Sequence, residues 1–226
     1  MITAKNEEEH SIELIPIGVE RAVCYSVIDL GTHENPYYRK KRRKVLFQWE
    51  LPDFRIDVER DGVPANLPRA ISKDFTLSLH EKGKLRPFLE SWRGKKFTEE
   101  ELSGFNVEKV AGVCGMLQVV HGISKKGREY AEVQGVTPLY KAITKFSPEN
   151  PVQIFSLEDI REGEEIVIPD AIPQWIQERI KESEEWRVRN VDPKVSPREV
   201  FPEEIGDDDG DDTYAEIDDL PEDLPF

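Results

Sequence analysis

Apolar residues in the first two thirds of this chain recur in short runs rich in β-branched and aromatic side chains, separated by polar stretches holding Gly and Pro. Residues 20–30 (ERAVCYSVIDL) read as a first strand on that composition. Residues 45–51 (VLFQWEL) read as a second. Side chains alternate across a strand, so Val45, Phe47, Trp49 and Leu51 share one face and Leu46, Gln48 and Glu50 the other. Residues 31–44, polar and holding Pro36, are expected to be the loop between them. A loop carrying Pro52, Gly62, Pro64 and Pro68 leads to a third strand at 70–79 (AISKDFTLSL), whose apolar face of Ile71, Phe75, Leu77 and Leu79 is broken by Lys73. The spacing then becomes helical: Leu85, Phe88, Leu89 and Trp92 fall on one side of a helix, provided Pro87 sits in its first turn. Thr98 followed three residues later by Glu101 has capping-box spacing and starts a further short helix. Residues 113–121 (VCGMLQVVH) and 129–136 (EYAEVQGV) form a fourth and fifth strand, joined through Ser124–Arg128.

Residues 139–202 lose the alternation and gain Pro and acidic residues. A helix is expected near 173–185, with Pro173 at its start and Trp175, Ile176 and Ile180 as a partial apolar stripe. It should pack on the strands or on a second copy of the chain, which makes a homo-oligomer one expectation. The organisation is therefore an N-terminal segment 1–18, a β domain 19–138, an extension 139–202 and a tail 203–226. The fold class is mainly β. Three strands, a helical insertion between strands 3 and 4, and a strand pair are the connectivity of the OB-fold, a five-stranded Greek-key barrel. Such barrels bind oligonucleotides across strands 2 and 3 and through the loops joining strands 1–2 and 4–5.

Charge sharpens this picture. The net charge is −15, but from Glu203 to Phe226 there are twelve Asp or Glu and no Lys or Arg, so residues 1–202 carry only −3 and residues 21–146 carry +7. A basic body with an acidic tail suits a polyanion-binding protein. The tail itself, a run of like charge with little to bury, is expected to be disordered. It ends in Leu224-Pro225-Phe226, with Asp219 and Asp223 just upstream. An aromatic ring beside a terminal carboxylate suits a partner with an apolar slot rimmed by Arg or Lys. Two cysteines, Cys24 and Cys114, lie in apolar runs without CxxC spacing and read as buried thiols in a reducing compartment. The four histidines have no metal-ligand spacing, and no metal or cofactor is expected. No run reaches the roughly 18 apolar residues of a membrane helix and no secretory leader is apparent, so a cytoplasmic protein is expected.

The candidate chemistry is basic and aromatic. Tyr37 and Tyr38 precede six consecutive cations, Arg39, Lys40, Lys41, Arg42, Arg43 and Lys44. Cations neutralise phosphates and aromatic rings stack on unpaired bases whatever their sequence. Lys125, Lys126 and Arg128 beside Tyr130 repeat the combination at the other expected binding loop. On the strands, Trp49 and Phe75 are stacking candidates with core as the alternative, and Lys73 could meet a phosphate where a barrel opens. Asp29-Leu30-Gly31-Thr32 has the look of an ATPase phosphate loop, but the chain is too short for those folds, and a strand turning at Gly31 fits better. No Walker A, GxSxG or HExxH motif is present.

The tail resembles the C-terminal tip of bacterial and bacteriophage single-stranded DNA-binding proteins. The body resembles bacteriophage OB-fold proteins of this kind through Val27-Ile28-Asp29-Leu30-Gly31-Thr32, Arg43-Lys44-Val45, Trp49-Glu50-Leu51, the stretch Leu89-Glu90-Ser91-Trp92-Arg93-Gly94-Lys95-Lys96-Phe97-Thr98, and Trp175-Ile176-Gln177. The resemblance implies a non-enzymatic protein of DNA replication and recombination. It would coat single-stranded DNA with its body and recruit replication proteins with its tail. The alternative is an acidic adaptor that binds proteins and not DNA.

Overall fold

The computed structural model describes residues 13–35, 39–60, 62–158, 160 and 164–190. Tyr37, Tyr38 and the whole tail, with Asp219, Asp223, Leu224, Pro225 and Phe226, lie outside the described residues. The chain is mainly β. Strands β1 (Gly18–Glu34), β2 (Lys41–Arg60) and β3 (Val63–Thr76) are followed by helices α1 (Leu85–Arg93) and α2 (Glu99–Ser103) and a 3-10 turn at Val107–Val110. Then come β4 (Cys114–Ile123), β5 (Glu129–Pro138), the short β6 (Gln153–Phe155), α3 (Gln174–Lys181) and α4 (Glu184–Asn190). One open sheet has the order β3-β2-β1-β4-β5, antiparallel throughout, with β6 added parallel to β1.

Several expected elements are present for the expected reasons. Helix α1 buries Leu85, Phe88, Leu89 and Trp92, holds Pro87 in its first turn, and ends at Gly94 in the left-handed conformation (φ 66°). The Thr98–Glu101 capping box forms. The β4–β5 hairpin closes over Ser124–Arg128, with Gly127 at φ 79° and its N–H donating to the Ser124 carbonyl.

The first two strands are longer than their apolar cores. The ladder pairs Gly31, Thr32, His33 and Glu34 with Lys44, Arg43, Arg42 and Lys41, so four of the six basic residues expected in a loop lie on β2. The 52–68 stretch is also not a loop. β2 and β3 continue as a hairpin arm to the turn at Gly62 (φ 76°), pairing Ile56 with Leu67 and Val58 with Ala65. Its prolines fit: Pro64 and Pro68 are on β3, the edge strand, and Pro52 lies at the bulge between Leu51 and Arg55. A missing N–H is tolerated at those places.

The sheet is buried on both faces. On one, Phe47, Trp49, Ile71 and Phe75 pack against Phe88, Leu89 and Trp92 of α1. The Trp49 ring is 5.8 Å from that of Trp92, and Phe75 is 4.6 Å from Phe88. On the other, Ile28, Leu30 and Leu46 are covered by Phe155, Leu157, Ile166, Ile172, Ile176 and Ile180 from the extension. The extension thus packs on its own sheet. Two buried carboxylates bracket the place where it docks. Glu50 (1% exposed) accepts the backbone N–H groups of Glu149 (2.6 Å) and Asn150 (3.0 Å), and Asp29 (7% exposed) accepts that of Leu157 (3.1 Å). Between them β6 adds to the edge of β1 at Ser26–Ile28, beyond the point where β4 has left it.

Candidate nucleic-acid interface

The cations of the β1–β2 hairpin divide into two groups. Nearest the body they are built into the fold. Arg43 bonds both carboxylate oxygens of Asp29 and pairs with Glu158 at 2.7 Å. Lys44 reaches Asp74 at 3.3 Å, and Lys41 reaches Glu184 at 2.8 Å. Burial raises the cost of ionising Asp74, but Arg179 (2.8 Å) and Lys44 beside it hold its carboxyl below the usual carboxylate range. Arg43 and Lys41 are therefore partners of the extension and Lys44 a partner of β3, and all three are less available to phosphate than a free loop would make them. At the tip the chain turns with Asn35 N–H donating to the Lys40 carbonyl and Arg39 N–H to the Asn35 carbonyl. Arg39 adopts φ 52°, unusual for a side-chain-bearing residue. Arg39 and Arg42 are exposed, and their guanidinium groups make no ion pair among the described residues. Lys40, between them in the sequence, is half-buried.

The β4–β5 tip presents Lys125, Lys126 and Arg128, all exposed. Tyr130 is half-buried and lies across Gly122, where an added Cβ would come within 2.7 Å of the tyrosine ring. Only a residue with no side chain admits the ring there. The two basic tips do not converge. β1 pairs with β2 through Glu34, while β4 runs past Gly18 at the start of β1, so the tips lie at opposite ends of that strand.

Three strand candidates are corrected. Trp49 is 0% exposed and Phe75 5%, both inside the cluster under α1, and a ring enclosed on both sides has no face for a base. Lys73 donates to Glu132 Oε1 and to the Val133 carbonyl, both at 2.7 Å, linking β3 to β5. Its charge is neutralised within the fold.

The face of β1 and β2 opposite α1 is occupied by the chain's own β6, α3 and α4. Gly31 (φ 78°) is pressed against α4's start, where a Cβ would meet that of Ser183 at 2.5 Å. Thr32 donates its N–H and its hydroxyl to the two oxygens of Glu185, each at 2.7 Å. The Asp29-Leu30-Gly31-Thr32 motif is thus a docking surface for the extension. Its signal in the sequence is a carboxylate inside an apolar strand, as at Ile28-Asp29-Leu30 and Trp49-Glu50-Leu51; such a group needs buried donors.

Cys24 is fully buried, and burial pushes its thiol up to about 12, which leaves it unreactive. Among the described residues no group of three or more His, Cys, Asp or Glu could hold a metal ion, and no helix is long and apolar enough to cross a membrane. No protein-family model matches the chain, and comparison with curated proteins and with solved structures finds none similar to it.

Proposed function

We propose that this is a single-stranded DNA-binding protein without enzymatic activity, acting in replication or recombination, that grips the strand by its hairpin tips and not by its sheet face. The observation carrying this reading is the β1–β2 tip. Arg39 and Arg42 stand out there beyond the cations that the fold consumes, and neither has an acidic partner among the described residues. Tyr37 and Tyr38, which precede Arg39 in the sequence, would supply rings for stacking. The barrel reading also gains support. An OB barrel needs β3 and β5 as neighbours, and the order β3-β2-β1-β4-β5 places them at its two free edges, where Lys73 spans the gap. The extension over the outer face is not a cover that phosphates displace, because it buries six aliphatic or aromatic side chains of its own against three of the sheet.

Binding of labelled oligo-dT and of the matching duplex, followed by anisotropy against salt, tests the reading. The single strand binds more tightly, and log K falls with log salt at about −0.7 per neutralised phosphate. Arg39→Gln with Arg42→Gln makes that slope shallower by roughly 1.4 units, two phosphates' worth, without changing the melting temperature. Absence of salt-sensitive binding defeats the proposal. The sealed sheet face favours the second reading, an acidic adaptor for replication proteins, which then takes first place. In either case the tail is the proposed recruiting element, through Asp219, Asp223 and the Leu224-Pro225-Phe226 terminus. Opposite charge on body and tail also predicts that removing residues 203–226 tightens oligo-dT binding, most at low salt. Unchanged or weaker binding excludes competition between tail and DNA.

A further inference from the structure

Among the large hydrophobic side chains that stand exposed in the described residues, Tyr140 is the sole aromatic, at 56% exposure. It lies where the chain leaves β5, in the segment Pro138–Pro148, which contains Lys141 and Lys145 and no acidic residue. Both lysines are exposed, and neither makes an ion pair among the described residues. The segment is held in place. Ile143 N–H donates to the Tyr140 carbonyl at 2.9 Å, the Cys114 thiol donates to the Phe146 carbonyl at 3.1 Å, and the Arg21 guanidinium stacks on the Phe146 ring at 5.4 Å. At its start Pro138 touches the turn after α1, where a Cβ on Gly94 would lie 3.1 Å from the Pro138 ring. Lys95 and Lys96, exposed on that turn, leave the surface within two residues of the contact, as Tyr140 does.

We infer that Tyr140 with Lys141, Lys145, Lys95 and Lys96 is a second single-strand contact, in which the tyrosine ring stacks on a base and the lysines neutralise the flanking phosphates. The inference rests on the proposed DNA binding but not on the hairpin tips. An exposed ring on a fixed turn loses little freedom when a base stacks on it, and every base has a face to offer, so the contact tolerates any sequence. The absence of acid between Pro138 and Pro148 matters equally. The hairpin cations Lys41, Arg43 and Lys44 are spent on carboxylates of the fold, whereas Lys141 and Lys145 are not.

The test uses the full chain and oligo-dT carrying 5-iodouracil. Irradiation crosslinks the oligonucleotide to Tyr140, read by mass spectrometry of the peptide. Tyr140→Ala weakens binding about 5- to 140-fold, the range of one lost base stack, while Tyr140→Phe, which keeps the ring, stays close to wild type. Lys141→Gln with Lys145→Gln makes the salt slope shallower by about 1.4. Unchanged melting temperatures show that these exposed positions do not act through folding. Wild-type binding that is tight and salt-sensitive, sensitive to Arg39→Gln with Arg42→Gln but indifferent to Tyr140→Ala and without a crosslink at 140, overturns this inference alone. A wild-type chain that binds no oligo-dT overturns it together with the proposed function.

Discussion

A chain ended at Pro138 does not fold to a stable body, although it contains five of the six strands and the whole cluster under α1. Without the extension, Ile28, Leu30 and Leu46, each at most 1% exposed, face water. Burial of an aliphatic side chain contributes about 1.5–3 kcal/mol, so the sheet forgoes roughly 5–9 kcal/mol, set against a total stability of about 5–15 kcal/mol for a typical domain. The vacated face is also a contiguous apolar patch on the two central strands, the kind of surface that drives aggregation. The expected result is a product that is insoluble or melts without cooperativity. A chain ended at Asn190, which keeps α3 and α4, melts cooperatively and close to the full chain. Thermal unfolding of both truncations by circular dichroism decides the matter, and a cooperative transition for the shorter chain within a few degrees of the longer one contradicts it. The division into a β domain at 19–138 and a separate extension at 139–202 then stands. If the prediction holds, residues 13–190 are a single folding unit.

Asp29→Ala is the single substitution expected to cost most outside the aromatic core. The carboxylate accepts the Gly31 N–H at 3.0 Å, the Leu157 N–H at 3.1 Å and the Arg43 Nε at 3.2 Å, and also holds the Arg43 Nη2. Removing it leaves the half-buried Arg43 with Glu158 alone and strands the Leu157 N–H beneath the extension. Breaking a buried pair from one side costs about 3–5 kcal/mol. At roughly 2–4 °C per kcal/mol for a domain of this size, the melting temperature falls by about 6–20 °C. Asp29→Asn keeps one acceptor and falls between. Glu158→Ala is the control, since that carboxylate is 70% exposed and an exposed ion pair contributes little. Asp29→Ala should also speed amide exchange at β6, because the Leu157 bond closes that strand's end. Protection of β6 unchanged in Asp29→Ala defeats the docking role assigned to this carboxylate.

The elements legible in the sequence were those whose signal is local. Leu85, Phe88, Leu89 and Trp92 announce α1 because their spacing is the helix period, and Thr98 with Glu101 announce α2 because a capping box is a contact three residues long. The strand cores at 20–30, 45–51 and 129–136 were likewise written in alternation and β-branching. What escaped depends on distant partners. Six cations in a row read as a solvated loop. Four of them are strand because Gly31–Glu34 supply the ladder, and three of those four have a carboxylate waiting at Asp29, Asp74, Glu158 or Glu184. The prolines of the 52–68 arm read as breakers because an edge strand cannot be recognised as an edge before its neighbours are known. β6 has three residues, too few for any period to show. At the candidate site, Trp49 and Phe75 could be read either as stacking rings or as core, and packing under α1 decided it. Tyr140 went unremarked because exposure is not a property of sequence.

β1 is completed along one edge by two segments that are both made long after it. Along one edge it takes β4 at Gly18–Val23 and β6 at Ser26–Ile28, and Ile28 meets Phe155 across 127 positions of chain. On the ribosome, at about 5–20 residues per second, that strand waits roughly 6–25 s after its own synthesis for its last neighbour. During that interval Val27 and Ile28 offer an unpaired edge, and the apolar face of Ile28, Leu30 and Leu46 is open. The nascent chain is thus expected to engage holding chaperones until β6 and the helices behind it emerge, and its yield should depend on them more than its modest size suggests.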